Sequence, residues 1–534
     1  MTAAPTKTQN SPFNSMPAGK LMSCLGISTV LGSLDISIVS VGLYSIAEYY
    51  GASEDITEWI TLAYSLTIAS GSLIAGKIGD KFGPILVHRI GMIGFIFFSC
   101  MCSIPISIFY TICMRACQGL IASLMLTNNL SLIASLCEHK GMPKAMAINT
   151  TCFSVSNAIG PLLGGLIVGI CDWSWIFMFL INLPLGLIGV VLCVKYLPTL
   201  PAKPETKFDI VGAIGLLISV GGIVFGINWL ENDSVIGGSA IGIGFALLAL
   251  SLLWEYHCPF PVLPFGLLVN RKVICSLLGS LLIFMAQSAL LYAVPYFWQQ
   301  AYGLSSTTVG LMLLPVPIFI VISATFTSKF VSKYCSVYAR AFGSVIQAIF
   351  FCVLALVTPI SYIWMILVMC VMALGLGAFQ TSAVGFVMSA SPSNCRGVTG
   401  GLVQTFREVG IAAGTALSIA VQDLVVEANG FDPDAGTAIP FDVLAKGASS
   451  AFYTNAGIGA LGLIPILLAA FGDHEVNLIG HPRYDPLAQP RIGTDPIEFD
   501  AKKFFGKRKA DQGKTSLLDH EDDVSDSTTN SSSV

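Results

Sequence analysis

Apolar residues in this chain come in fourteen runs, starting near residues 21, 57, 87, 109, 145, 176, 210, 236, 275, 309, 339, 361, 397 and 451. Each is about 20 residues long, enough for a helix to cross a hydrocarbon layer of roughly 30 Å. The polar segments between them alternate in basic content. Even-numbered loops carry Lys81 and Arg89, then Lys140 and Lys144, then Lys195, Lys203 and Lys207, and further on Arg271, Lys272, Lys329, Lys333, Arg340 and Arg396. Odd-numbered loops, among them EYYGASEDITE and QQAYGLSSTT, hold no Lys or Arg until Lys446 in the last. Lys and Arg accumulate on the cytoplasmic side of a membrane. The pattern predicts an all-α, multi-pass membrane protein of fourteen transmembrane helices with both termini in the cytoplasm.

Composition excludes several other classes. Only 11% of the 534 residues are charged and 54% are hydrophobic, with a mean hydropathy of +0.77. A soluble domain of this size needs more polar surface. The net charge is −4, and no basic face with interleaved aromatics marks a nucleic-acid partner. The 15 Cys are scattered, many within apolar runs, without a CxxC pair or metal-ligand spacing. No nucleotide-binding GxxxxGK[ST], HExxH or nucleophile–base constellation is present, so neither an enzyme nor a cofactor or metal site is expected. All six His are expected outside the membrane core, which argues against a buried His proton relay.

Residues 1–19 are polar and lack the apolar centre of a signal peptide, so they form an N-terminal tail. Residues 472–534 form a second polar tail, in which the basic stretch KKFFGKRK precedes Asp519, Glu521, Asp522, Asp523 and a Ser/Thr-rich end. Its composition predicts disorder, with contact between the basic stretch and anionic lipid as the alternative. The sequon at Asn232 is the only one facing outward, and it lies too near the membrane to favour glycosylation. Residues 118–141 align without a gap to 374–397, matching Gly119 with Gly375, Ala134 with Ala390 and Gly141 with Gly397 among six identities. That equates the fourth helix with the twelfth. It implies two six-helix bundles in parallel repeat (residues 20–198 and 259–471), with two inserted helices between them (199–258).

Four stretches carry a resemblance to a known family. They are Leu34-Asp35-Ile36-Ser37-Ile38-Val39, Gly76-Lys77-Ile78-Gly79-Asp80-Lys81-Phe82-Gly83, Arg115-Ala116-Cys117-Gln118-Gly119 and Gly160-Pro161-Leu162-Leu163-Gly164-Gly165. In this order the chain resembles the major facilitator superfamily, and within it the fourteen-helix drug:proton antiporter branch. The long polar tails are similar to those of its fungal members. Three departures stand out: Pro84-Ile85 replaces the basic residues expected after Gly83, Ser156 replaces the first Gly of the antiporter motif, and Ser174 replaces the Arg of a WRWIF signature.

Ionisable residues deep in a membrane helix are costly and mark function; here they are Asp35, Arg115, Arg407 and Glu408. Asp35 sits roughly 20 Å up the first helix and Arg115 roughly 10 Å below the outer face, so their depths match. Asp35 is read either as a carboxylate linked to proton or substrate, or as half of a static ion pair. The resemblance implies a functional role for Arg115. Arg407 and Glu408 are adjacent, so they should point about 100° apart; Glu408 is the candidate for the cavity, unless both pair with loop charges such as Arg396. Gly76, Asp80, Lys81 and Gly83 look like a gating loop between the bundles. Gln118, Gly119, Gly160, Pro161, Gly164, Gly165, Gly410 and Gly414 are expected to serve hinge and close packing.

The expected function is a monomeric, proton-coupled antiporter in the plasma membrane that exports small amphipathic organic molecules. Its partners are cargo, protons and the lipid bilayer. An importer, a siderophore transporter, a non-transporting sensor on the same fold and a vacuolar location stay open.

Overall fold

The computed structural model describes residues 16–137, 141–168, 174–198, 208–230, 233–291, 293–333, 336–431 and 439–470. The chain divides into two units, Met1–His474 and Glu475–Val534. The second unit lies outside the described residues, as do Asn232 and most of both tails.

Among the described residues, fourteen helices are long and apolar enough to span a membrane. They are α1 Ala18–Tyr50, α2 Ile56–Phe82, α3 Pro84–Cys102, α4 Ile108–Leu136, α5 Met142–Val168, α6 Ile176–Tyr196, α7 Ile210–Trp229, α8 Ser234–His257, α9 Arg271–Tyr302, α10 Thr308–Lys333, α11 Ser336–Val357, α12 Tyr362–Ala390, α13 Arg396–Ala428 and α14 Phe441–Ala469. Their ends follow local chemistry. Ser107 Oγ accepts the Tyr110 amide at 3.1 Å to start α4, and Asp233 Oδ1 accepts those of Val235 and Ile236 at 2.8 and 3.0 Å to start α8. Such caps satisfy amides that a helix start leaves without partners. Between α2 and α3 the chain reverses over the single residue Gly83, at φ 95°, with Pro84 opening the next helix where no amide is needed. The last span starts about ten residues before its predicted position, because FDVLAKGASS continues the helix N-terminally.

The helices pair in two matching sets. In the first bundle α1 packs on α5 and α6, and α4 packs on α2 and α3; in the second, α9 packs on α13 and α14, and α12 packs on α10 and α11. The fourth and twelfth helices are thus equivalent, as the internal alignment implies. That alignment fails residue by residue, however: Gly119 packs on Tyr64 and Thr67 of α2, whereas Gly375 packs on Gly343 of α11. Between bundles α2 meets α13 and α5 meets α10. The inserted pair α7–α8 packs on itself through Gly226 and Gly237 and leans on α2 and α13. Outward faces are apolar: Leu86, Ile90, Ile93 and Phe97 form one exposed stripe on α3. A protein in water rarely leaves such a stripe bare.

Buried charge is more widespread than expected. His88 is fully buried in α3, with Nδ1 3.0 Å from the Met125 carbonyl, and so not all His lie outside the span; α3 starts at Pro84, about three residues earlier than the apolar run suggests. Arg340 in α11 and Glu255 in α8 are also buried. Arg340 donates to Ser276 Oγ at 2.9 Å and stacks 3.8 Å over the Phe386 ring.

Candidate functional site

Asp35 and Arg115 meet. Arg115 Nη1 donates to Asp35 Oδ2, and both side chains are wholly buried. A charge pair removed from water needs its remaining valences filled, and uncharged groups fill most of them. Asn182 Nδ2 donates to Asp35 Oδ1 at 2.7 Å and to Ser99 Oγ at 2.9 Å. Gln118 Oε1 accepts Arg115 Nη1 at 2.8 Å while its Nε2 donates to Ser99 Oγ at 3.2 Å. Arg115 Nε donates to the Ile60 carbonyl at 3.0 Å, and its guanidinium lies 4.2 Å from the Tyr64 ring centroid. Five helices, α1, α2, α3, α4 and α6, therefore converge on one ion pair. Gln118, expected as a packing residue, belongs to this network, because it lies one helical turn from Arg115 on the same face.

A separate cavity lies between the bundles, lined by residues of α1, α4, α5, α9, α12 and α13. From α1 it takes Thr29, Gly32, Ser33 and Ile36. Asp35 points about 100° away from that stripe, into its own bundle. Asn149 Oδ1 accepts Thr29 Oγ1 at 2.7 Å, and Thr29 Oγ1 accepts Asn129 Nδ2 at 2.7 Å, forming a polar wall. The opposite wall holds Gln404 and Arg407.

Here the structure corrects the expectation for α13. Arg407 lines the cavity and Glu408 does not. Nor do the two side chains diverge: Arg407 Nη2 donates to Glu408 Oε1 at 2.8 Å, and Gln404 Nε2 donates to the same oxygen at 3.0 Å. The long Arg side chain folds back across the helix surface, closing the angle that backbone spacing alone would leave. Arg396 does not join them; its Nη1 reaches Ser135 Oγ at 3.4 Å.

The predicted gating loop bridges the bundles. Asp80 Oδ1 and Oδ2 accept the amides of Gly397 and Val398 at 2.8 and 3.0 Å. These belong to the first turn of α13, so one bundle supplies the N-cap of a helix in the other. Gly76 lies against the Gly397 backbone, where a Cβ would collide. Lys81 Nζ rests over the rings of Phe82 and Phe208, at 5.1 and 5.8 Å. Arg89, the basic residue nearest Gly83, instead donates to the carbonyls of Cys193 and Leu197 at 2.8 and 2.9 Å, ending α6. The small residues split into two equivalent seams. Gly160 and Gly164 of α5 lie against Ser37, Ile38 and Val41 of α1, and Gly410 and Gly414 of α13 lie against Leu281 and Met285 of α9. Pro161 touches Gly310 of α10, while Gly165 is only half-buried.

Ser99 and the Ile60 carbonyl gave no sequence signal. Asn182 gave a weak one, an amide alone in a long apolar run.

A fold of two equivalent six-helix bundles around a central cavity, joined by a charged loop, defines a polytopic transporter. The Major Facilitator Superfamily model matches residues 25–415, and the chain belongs to that family. It is 29% identical over 406 residues to an uncharacterised transporter, YebQ, of Escherichia coli, covering 74% of this chain and 86% of that one. To the methylenomycin A resistance protein of Bacillus subtilis it is 25% identical, covering 74% and 85%. Among solved structures it is similar to the proton:xylose symporter XylE, with a TM-score of 0.61 at 14% identity over 84% of this chain and 94% of that one; this likeness concerns the fold.

Proposed function

We propose that this transporter is a proton-coupled antiporter that exports small amphipathic organic molecules by alternating access, with its basic end toward the cytoplasm at the plasma membrane. The Asp35–Arg115 pair carries the reading. A carboxylate wholly withdrawn from water, held by one cation and two amides, gains or loses a proton only when that cage opens. Ser33 and Ile36, on the adjoining face of α1, line the cavity. A change in how α1 packs on α5 therefore reaches cargo and carboxylate together. The Asp80 cap on α13 holds the basic ends of the two bundles closed in this state. Relatives named for antibiotic resistance support export.

The test is flux in vesicles of known orientation under an imposed pH gradient. Wild type should expel cargo only when protons run inward, and Asp35→Asn should lose this coupling at normal abundance while keeping downhill exchange. Uptake on the same gradient would make the chain an importer, and coupling that survives in Asp35→Asn would reduce the pair to a structural role.

A further inference from the structure

We infer that the cavity is built for planar aromatic anions, such as carboxylates or phenolates; this rests on the reading of the chain as a small-molecule transporter and names the cargo class. Among the described lining residues Arg407 is the one ionisable side chain, and no carboxylate reaches the cavity wall. Glu408 stands behind Arg407. It is buried, whereas Arg407 is 20% exposed. Its Oε1 accepts from Gln404 Nε2, Arg407 Nη2 and Arg407 Nε, the last at 3.3 Å. The carboxylate thus serves as a backing group. It neutralises the pair overall, fixes two cavity side chains, and turns the positive end of the dipole toward cargo. The guanidinium has five N–H groups, and the bonds to Glu408 leave others for an incoming acceptor.

Aromatic chemistry surrounds this donor. The Arg407 guanidinium lies 4.8 Å from the centroid of the Phe153 ring, and both line the cavity, so a planar group entering there meets the stacking partners that aromatic systems favour. Phe284 lines the same cavity from α9. Gln380 and Asn149 supply uncharged polar contacts, which fix orientation in a largely apolar pocket. Arg407 and Phe153 are each eleven residues from the basic end of their helices, so both sit roughly 16 Å into the layer. A cargo anion would lie nearer to Arg407 than to Glu408, and attraction falls with distance, so a net preference for anions remains. A cationic cargo would meet the positive end of the dipole first.

Binding can be measured on the purified full-length protein in nanodiscs, with no pH gradient, by calorimetry. Three probes share one ring system: 2-naphthoate, 2-naphthylmethanol and 2-naphthylmethylammonium. The naphthoate should bind about tenfold or more tighter than the ammonium probe, a gap of roughly 1.4 kcal/mol. Arg407→Gln should abolish the preference for naphthoate or reverse it toward the ammonium probe, because the Glu408 charge remains, and Arg407→Lys should keep part of it. If Arg407→Gln does not fold, Glu408→Gln serves instead: removing the backing charge while keeping the guanidinium should widen the preference for naphthoate. Equal or tighter ammonium binding by the wild-type protein, no saturable binding of any probe, or a preference unchanged in Arg407→Gln and Glu408→Gln overturns the inference. Anion-selective binding without pH-driven flux would leave this inference standing and remove proton coupling. Flux of cations alone would do the reverse.

Discussion

Replacing both members of the Asp35–Arg115 pair should be less damaging than replacing either one. Asp35→Asn leaves the Arg115 guanidinium buried without a counter-charge, beside Gln118 Oε1, the Ile60 carbonyl and the rings of Tyr64 and Phe179. Arg115→Gln leaves Asp35 with the amides of Asn182 and Gln118 but no cation. Two unit charges at about 4 Å attract by about 4 kcal/mol at an effective dielectric constant near 20. Breaking a buried pair typically costs about 3–5 kcal/mol, whereas replacing both partners with neutral groups is often close to neutral. Each single variant should therefore lose about 3 kcal/mol, and Asp35→Asn with Arg115→Gln about 1–2 kcal/mol, a coupling of roughly 4–5 kcal/mol. Unfolding entropy near 2.1 cal/mol/K per residue, over the roughly 370 residues of the fourteen spans, translates this to about 1.3 °C in Tm per kcal/mol. Melting curves of the four proteins in one detergent would resolve single losses near 4 °C and partial recovery in the double variant. Additive losses, with coupling under about 0.5 kcal/mol, would mean that the pair does not act as a unit, and the cage described around it would have to be abandoned.

Two further outcomes follow. Asp80→Ala removes the cap that one bundle places on α13, costing the closed basic end about 1–2 kcal/mol; labelling of a single Cys at Val403 from that end should speed up several-fold, and an unchanged rate would show that Asp80 does not latch the bundles. Single-Cys probes at Ser53 and Ser393, which lie exposed at opposite ends of the helices, should react with an impermeant reagent on opposite sides of intact cells, Ser53 outside; labelling of Ser393 from outside would invert the assigned topology.

Charge was the most legible signal in the sequence. Asp35 and Arg115 stand alone among apolar neighbours, and counting rise per residue was enough to match their depths. The fourteen spans were legible for the same reason, since length and hydropathy suffice in lipid. Helix faces were not legible. Helices apolar on all sides, such as α7 and α12, have no polar stripe to show which residues turn inward. Ser99 and the Ile60 carbonyl were therefore invisible, and the cavity wall with Arg407 in front of Glu408 could not be read from adjacency. Arg340 lies within one turn of the start of α11, where a sequence reading places it in a loop.

The glycine seams have a consequence for how such a protein can change over generations. Where α2 meets α13 and where α5 meets α1, backbone lies against backbone at Gly76, Gly397, Gly160 and Gly164, and any side chain larger than hydrogen would wedge the helices apart. These positions tolerate almost no drift. The cavity wall, by contrast, is made largely of rotatable side chains that face open space rather than neighbouring backbone. If the cavity holds the cargo as proposed, substitutions there would re-address the carrier while the packing seams stay as they are, so one mechanical frame could be re-equipped for another molecule by a few changes at positions such as Phe153, Gln380 and Gln404.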